Sequence, residues 1–370
     1  MGGFAAVDVP DPERRLDSVL ARPRVDPVEV FDRSSMTPAV SIVLATFNRL
    51  ELLRSSVDSV LSQTFRDWEL IIADDGSDEP TKRYLESLES PGRVRVLWLH
   101  HSGRPSVVRN AALRVARGEY IAFQDSDDLW LPRKLETQVH SLRRNPERAW
   151  GHTKYQLVDV SGAPTAWTRR TGGWPTPGGW ILDQLIRGET VIALPSVVAS
   201  RRLLQEAGGF DERLNDTEDY ELWLRLARRS EIDAVDELLT LVRRHGQHFS
   251  AKPIAAFQAA RYVIDRQLRS GDVEHLRSVL LRQRARVVVG LARSRAAAGN
   301  RRDALATLVS GARYFWRHPQ FWPDALAAIA LTLTPRAVLG WLKRSRRSSS
   351  VEDAVPCAHA GRATIPAQRP

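Results

Sequence analysis

Cysteine is almost absent from the chain. The single thiol, Cys357, excludes an internal disulfide and any zinc site built on cysteines, and a reducing compartment is the simplest setting for it. Long apolar runs are missing too. The opening MGGFAAVDVPDPERR holds no stretch of signal-peptide length. The longest uncharged stretch toward the C-terminus, 325–335, has 11 residues, and a spanning helix needs about 20. A transmembrane protein is therefore not expected, and the expected location is cytoplasmic. Acidic residues are scarce in one region only. Residues 1–250 hold 33 Lys and Arg against 37 Asp and Glu, whereas residues 251–344 hold 17 against 5. The net charge of +10 thus belongs to one Arg- and Ala-rich segment and not to the chain at large.

The organisation follows from periodicity. Residues 1–38 are rich in Pro and charge and read as a flexible extension. From Ala39 the character changes. AVSIVLATF is a β-branched run suited to a strand buried on both faces. ELLRSSVDSVLSQ then places Leu52, Leu53, Val57, Val60 and Leu61 at helical spacing. WELIIADDGS, VRVLWLH and EYIAFQDSDD are further strands, with KRYLESLES and SVVRNAALRVARG as helices between them, the latter closed by Gly118. This alternation predicts an α/β fold with a mostly parallel sheet. Residues 167–180, WTRRTGGWPTPGGW, read as a loop. Residues 39–250 form the catalytic unit of this reading, 251–345 a basic helical appendage, and 346–370 a disordered tail. Within the appendage, 287–319 is similar to one helical hairpin of the tetratricopeptide kind, with no second copy.

In open parallel sheets, ligands bind beyond the carboxyl ends of the strands. Those ends carry Thr46–Asn48, Asp74–Asp75 and Asp125–Asp128. Carboxylates crowded at a strand end repel one another, and Mg2+ or Mn2+ would neutralise them with oxygen ligands. Alternate residues of an extended chain share a side, so Asp125 and Asp127 are expected to face one ion, with Asp128 as helix cap. Asp74–Asp75–Gly76 is either a turn or an acceptor for nucleobase and ribose donors. Glu218 and Asp219 open a helix, as dipole-favoured caps or with a general base among them. Arg243, Arg244, His245, Gln247 and His248 are a basic loop, solvated or suited to a departing diphosphate. Trp174 and Trp180 are candidates for stacking on a sugar face.

Taken in order, these segments resemble the inverting GT-A glycosyltransferases of family 2, over roughly 40–250. SIVLATFNR is similar to the opening strand and loop. SVLSQTFRDWELIIADDGS resembles the helix, second strand and nucleotide-binding aspartate. GRPSVVRNAAL and GEYIAFQDSDDLWLPRKLE resemble the segment before the metal motif and the motif itself, with Gln124 where many members carry Leu. GGFDERLNDTEDYELWLRLA resembles the acceptor-side segment and the catalytic ED motif. The resemblance implies a Rossmann-like GT-A domain and metal-dependent transfer of one sugar from a nucleotide sugar, UDP-linked in the commonest case. The acceptor would be a glycan or lipid-linked hydroxyl in cell-surface polysaccharide synthesis. It implies that Ala45, Thr46, Asn48, Asp74, Asp75, Arg104, Asp125, Arg244 and His245 bind the donor. Asp127, with Asp125, would hold Mg2+ or Mn2+. Asp219 would be the base, assisted by Glu218. Gly209, Phe210, Asp211 and Trp180 would line the acceptor side. The Q-x-x-R-W motif of processive members is missing, and RRHGQH stands in its region.

Two rival readings fit the same residues. A nucleotidyltransferase would also use carboxylates and Mg2+, but ATFNRLELL lacks the glycine-rich loop such enzymes carry. A non-catalytic scaffold would keep the fold without needing all of Asp75, Asp125, Asp127 and Asp219. For the basic segment, nucleic acid is not expected, because the aromatics of FWRHPQFWP show no interleaving with its arginines. An anionic membrane, met by Phe315, Trp316, Phe321, Trp322 and Trp341, stands beside plain packing on the catalytic unit.

Overall fold

The computed structural model describes residues 37–171, 173–244 and 253–333. Its centre is an eight-stranded sheet of order β3-β2-β1-β4-β7-β6-β8-β5. Four strands are parallel: β1 (Val40–Thr46), β2 (Trp68–Asp74), β3 (Val94–Trp98) and β4 (Tyr120–Asp125). Between them run helices α1 (Leu50–Leu61), α2 (Glu79–Glu86) and α3 (Pro105–Val115). The second half is mixed: β5 (Leu129–Trp130), α4 (Lys134–Arg144), β6 (Trp150–Val158), α5 (Ala166–Thr171), α6 (Leu182–Arg187), β7 (Val197–Ser200), α7 (Arg201–Ala207), α8 (Glu218–Leu226) and β8 (Ile232–Arg243). β7 runs antiparallel to β4 and β6, and β6 runs parallel to β8. Helices α9 (Pro253–Ser270), α10 (Arg277–Ala297), α11 (Arg301–Phe315) and α12 (Trp322–Leu333) follow.

Both faces of the parallel half are covered, which is why its strands are apolar throughout. Period-two geometry sends Val43, Ile71 and Ala73 to one face and Ile42, Leu44, Leu70 and Ile72 to the other. The second face receives Leu53, Val57 and Val60 of α1 and Leu135 and Val139 of α4. Each such buried aliphatic contributes about 1.5–3 kcal/mol. The first face packs against α3, α7 and α8, and also against Ala260, Val263 and Ile264 of α9 and Leu280 and Val287 of α10. α9 and the start of α10 therefore share the core of the sheet. Val289 and Ala292 of α10 join Leu308, Ala325 and Ala328 in a small core of their own.

Several local expectations change. α3 ends at Val115, three residues before Gly118. Gly118 is required by close approach instead: a Cβ there would lie 2.4 Å from the Ser41 nitrogen on β1. Asp128 does not cap α4, whose preceding residue is Arg133; its Oδ1 accepts from the Arg243 backbone at 2.8 Å. The stretch read as a loop contains the short helix α5. Within it Trp174 packs on Trp167, with ring centroids 5.5 Å apart.

Candidate functional site

The carboxyl ends of β1, β2 and β4 are adjacent, because β1 lies between the other two. Their polar residues form one rim. Asn48 and Arg49, just after β1, have φ of 58° and 62°, and Thr217, just before Glu218, has φ of 64°. Among the described residues these are the non-glycine positions with left-handed backbone. Such strain persists only where surrounding contacts hold it, and it gathers at functional sites. Here the Asn48 nitrogen donates to Ser77 Oγ at 2.7 Å, and Asn48 Oδ1 accepts from the Asp78 nitrogen at 2.8 Å. Thr46 is buried, and its carbonyl accepts from the Asp75 nitrogen at 2.9 Å. Ala45, partly buried, closes the strand beneath.

Asp74 and Asp75 have divided roles. Asp74 Oδ2 accepts from the nitrogens of Gly76 (3.2 Å) and Ser77 (3.0 Å), while its Oδ1 is buried with no partner. Asp75 is committed to the loop after β3. It accepts from the Ser102 nitrogen (2.8 Å) and hydroxyl (2.9 Å) and from the Gly103 nitrogen (2.9 Å). His101 lies 3.1 Å from Asp75 and stacks on Phe47 at 4.1 Å between ring centroids. The exposed Phe47 ring is thus a flat apolar surface at the mouth of the cleft. Arg104 is exposed on the same loop, with Nη1 3.5 Å from the Glu212 carbonyl.

Asp125 and Asp127 do not share one extended segment. β4 stops at Asp125, the chain turns, and each carboxylate meets its own arginine. Arg109 Nη2 donates to Asp125 at 2.8 Å, and Arg49 Nη1 donates to Asp127 at 2.7 Å. The turn is pinned by buried Gln124, whose Nε2 donates to Ser56 Oγ (2.9 Å) and to the Asp128 carbonyl (2.8 Å). Leucine at this position would make neither bond. Burial pushes Asp125 and Asp128 up, Asp128 strongly, and the Asp127 charge adds to both. Among the described residues, no three or more His, Cys, Asp or Glu gather as a metal cage. What the turn offers is hard carboxylate oxygen from Asp127 and Asp125 amid mutual repulsion that a divalent cation relieves. Mg2+ sites with so few protein oxygens are completed by water and substrate phosphate, so these residues fit such an ion.

Arg109 Nη1 also reaches Glu218 Oε1, at 2.5 Å. One buried guanidinium therefore ties the end of β4 to the start of α8. Burial opposes its charge, but Asp125 and Glu218 outweigh that cost and raise its pKa. Next to Glu218, Asp219 accepts from the Tyr220 nitrogen at 2.7 Å. Burial, then the neighbouring Glu218 charge, raises Asp219 to about 7. A carboxyl of that pKa exchanges protons readily at neutral pH. Neither Arg109 nor Arg49 stands out in the sequence. The available signal was a charged residue, Arg109, among buried Ser106, Val108 and Ala112 of α3.

The acceptor-side residues separate. Gly209, at φ 69°, sits where a Cβ would lie 2.8 Å from Asn110 Oδ1. Phe210 is buried against Phe123, at 5.4 Å between centroids, and so cannot present itself to an acceptor. Asp211 is likewise occupied: it accepts from Arg213 (2.7 Å), Tyr262 (2.9 Å) and Arg266 (3.4 Å). Burial pushes it up, but Arg213 and then Tyr262 bring it down to about 2. Phe210 and Asp211 are thus packing and docking residues, the latter fastening α9. Trp180 is 62% exposed and free to present its ring. Arg244 donates its backbone nitrogen to the Val158 carbonyl at 2.7 Å. His245, Gln247, His248 and Trp341 lie outside the described residues.

Comparison with known proteins shows the family and the fold. The model of the family described as glycosyl transferase family 2 matches residues 41–197. The chain is 30% identical over 198 residues to an Escherichia coli UDP-Glc:alpha-D-GlcNAc-diphosphoundecaprenol beta-1,3-glucosyltransferase, WfgD, covering 53% of this chain and 73% of that protein. Other curated relatives are longer, and the chain spans 36% and 32% of two of them. The fold is similar to Staphylococcus aureus TarS 1–349 in complex with UDP-GlcNAc, with a TM-score of 0.52 and 21% identity over 78% of this chain and 79% of that one. It is also similar to the Pyrobaculum calidifontis mannosyltransferase PcManGT in complex with GDP-Man and Mn2+, with a TM-score of 0.51 and 18% identity over 91% and 94%.

Proposed function

The chain belongs to glycosyltransferase family 2, and from that premise we propose that it moves one sugar from a nucleotide sugar, UDP-linked by preference, to a hydroxyl of a glycan or lipid-linked acceptor. The setting is cell-surface polysaccharide assembly on the cytoplasmic side of the membrane. The observation that carries this reading is Arg109, which holds Asp125 and Glu218 at 2.8 and 2.5 Å and so brings the donor rim and the ED pair into one cleft.

In this mechanism the nucleoside lies over the ends of β1 and β2, with its base beside Phe47 and Asp74. Buried Asp74 Oδ1, which has no partner, is the acceptor best suited to a base or ribose donor once the loop adjusts. Asp75 shapes the 101–103 loop around it. Asp127, with Asp125, would hold Mg2+ or Mn2+, which when bound supplies positive charge to the diphosphate. Arg104 and Arg244 add donors at the rim. Asp219 takes the proton of the acceptor hydroxyl. The oxygen then attacks the anomeric carbon as the bond to the diphosphate breaks, so the configuration inverts and a nucleoside diphosphate leaves. Glu218, neutralised by Arg109, keeps its own charge from holding Asp219 protonated at still higher pH. Trp180 offers a stacking face to the acceptor sugar.

The test is a panel of UDP-, GDP- and dTDP-sugars with Mn2+ or Mg2+, scored for nucleoside diphosphate with and without glycan acceptors. Asp219→Asn should lower turnover by about two to four orders of magnitude while nucleotide-sugar binding persists. A near-normal rate for that variant would remove Asp219 as the base. Release of pyrophosphate would indicate nucleotidyl transfer instead.

A further inference from the structure

The C-terminal helices carry a surface that the transfer reaction does not use. On α11, positions 302, 305, 309, 313 and 316 recur at three- and four-residue spacing and so share one face. They are Arg302, Leu305, Val309, Arg313 and Trp316, and all are exposed. On α12, Trp322, Leu326 and Leu333 repeat the pattern. Val309, Trp316, Leu326 and Leu333 are 77%, 70%, 65% and 72% exposed. The stripes meet at Trp316 and Trp322, whose rings lie 5.6 Å apart. The small core of Val289, Leu308 and Ala325 uses other positions of these helices, so this apolar face is left outside it. Scattered exposed leucines need no explanation, but a joined patch across two helices does.

We propose that this α11–α12 face docks on a membrane surface bearing anionic headgroups. Charge selects that occupant over the protein alternatives. The charges in and beside the stripe are Arg302, Arg313 and Arg317, all exposed. Of the two acids on these helices, Asp324 is paired with Arg293 at 2.8 Å, and Asp303 sits in the first turn of α11 beside Arg301 and Arg302. A second copy in a twofold contact would press this basic patch against itself. The segment that follows, 334–351, has Arg336, Lys343, Arg344, Arg346 and Arg347 and no acid; laid on the face, it too would bring like charge. Its Trp341 and basic residues have the chemistry of the face itself, apolar rings among cations, which suits a lipid interface. The contact lies in the plane of the interface: α12 is 12 residues long, about 18 Å, and among the described residues no helix is long and apolar enough to cross a membrane.

The experiment is flotation of the full chain with vesicles of phosphatidylcholine alone or mixed with phosphatidylglycerol, in low and high salt. Binding should require phosphatidylglycerol and weaken with salt. The double variant Leu326→Glu/Leu333→Glu should lower the partition coefficient by about tenfold or more, and Arg302→Glu/Arg313→Glu should do so in low salt. These side chains are exposed, and unchanged helical circular dichroism and an unchanged melting transition would show that the variants fold. Failure of the unmodified chain to float would overturn the proposal, as would equal binding by the leucine variant. So would light scattering that finds a dimer for the unmodified chain and a monomer for that variant, which would assign the face to a second copy. None of these outcomes depends on which sugar is transferred, so failure here leaves the transferase reading intact.

Discussion

Arg109 and Glu218 are 109 residues apart in sequence, yet their side chains meet at 2.5 Å. Both are buried, and the same guanidinium holds Asp125. Removing one partner of a buried ion pair leaves uncompensated charge, at about 3–5 kcal/mol. Arg109→Met should therefore lose stability on that scale in urea unfolding. The loss in Arg109→Met/Glu218→Gln should be smaller than the sum of the single losses. Arg109→Lys should not restore activity, because an ammonium lacks the fork that reaches two carboxylates. Full additivity of the two changes would show that the contact carries no coupling.

Asp219 links pH to rate and pH to stability in opposite senses. Burial and Glu218 hold it at about 7, against about 3.9 in an unfolded chain. Between those values the folded protein retains a proton that the unfolded chain has released. Stability contributed by this group is thus present at low pH and lost as pH rises toward 7. Turnover needs the ionised form, so kcat should fall with acidity below about pH 7. Asp219→Asn cannot ionise. It should melt higher than the unmodified chain at about pH 8, the difference should shrink toward about pH 4, and turnover should be largely lost. A variant that melts lower at high pH would mean the carboxylate is stabilised rather than strained there.

The parallel half of the fold was legible because burial on both faces writes β1, β2 and β4 as apolar runs, and because α1 and α3 alternate with them. β6 and β8 escaped for a physical reason. Their pairing slips between Thr153 and Lys154 and again between Lys154 and Tyr155. The first slip adds two residues on β8 and the second adds one, which reverses the inward-outward alternation, so IDAVDELLTLVR keeps no single period. The carboxylates of the site were legible as acids stranded at strand ends. Their arginine partners were not: Arg109 is one cation inside a helix and Arg49 one residue of a loop, and neither has a local signature of what it faces across 16 to 109 residues. The packing of Phe210 and the ion pairs of Asp211 were not legible, because their partners on β4, α3 and α9 lie far off in sequence.

Gly118 tests the register that aligns β1 with β4. A Cβ there would stand 2.4 Å from the Ser41 nitrogen and 2.7 Å from the Val40 carbonyl carbon. Both obstacles are backbone in a central strand, so neither can swing aside. Gly118→Ala should cost about 2–3 kcal/mol, read as a lower urea midpoint. It should also weaken nucleotide binding, since the rim depends on the same strands. A neutral substitution would mean that the turn before β4 has room the structure does not show.

Arg49 and a divalent cation compete for the negative charge of Asp127, whose Oδ2 the guanidinium engages at 2.7 Å. Arg49 thus serves as a resident counter-charge beside Asp127 before donor arrives, at the expense of metal affinity. A partly exposed pair of this kind is worth up to about 1 kcal/mol, roughly a fivefold change in binding. Arg49→Ala should tighten Mn2+ by about that factor in titrations without nucleotide, followed by the loss of the free-ion paramagnetic signal. Asp127→Ala should abolish the Mn2+-dependent part of nucleoside diphosphate binding. If Arg49→Ala loosens Mn2+ instead, the arginine is not a competitor. Its left-handed backbone, at φ 62°, would then serve to fix the loop that carries Asn48.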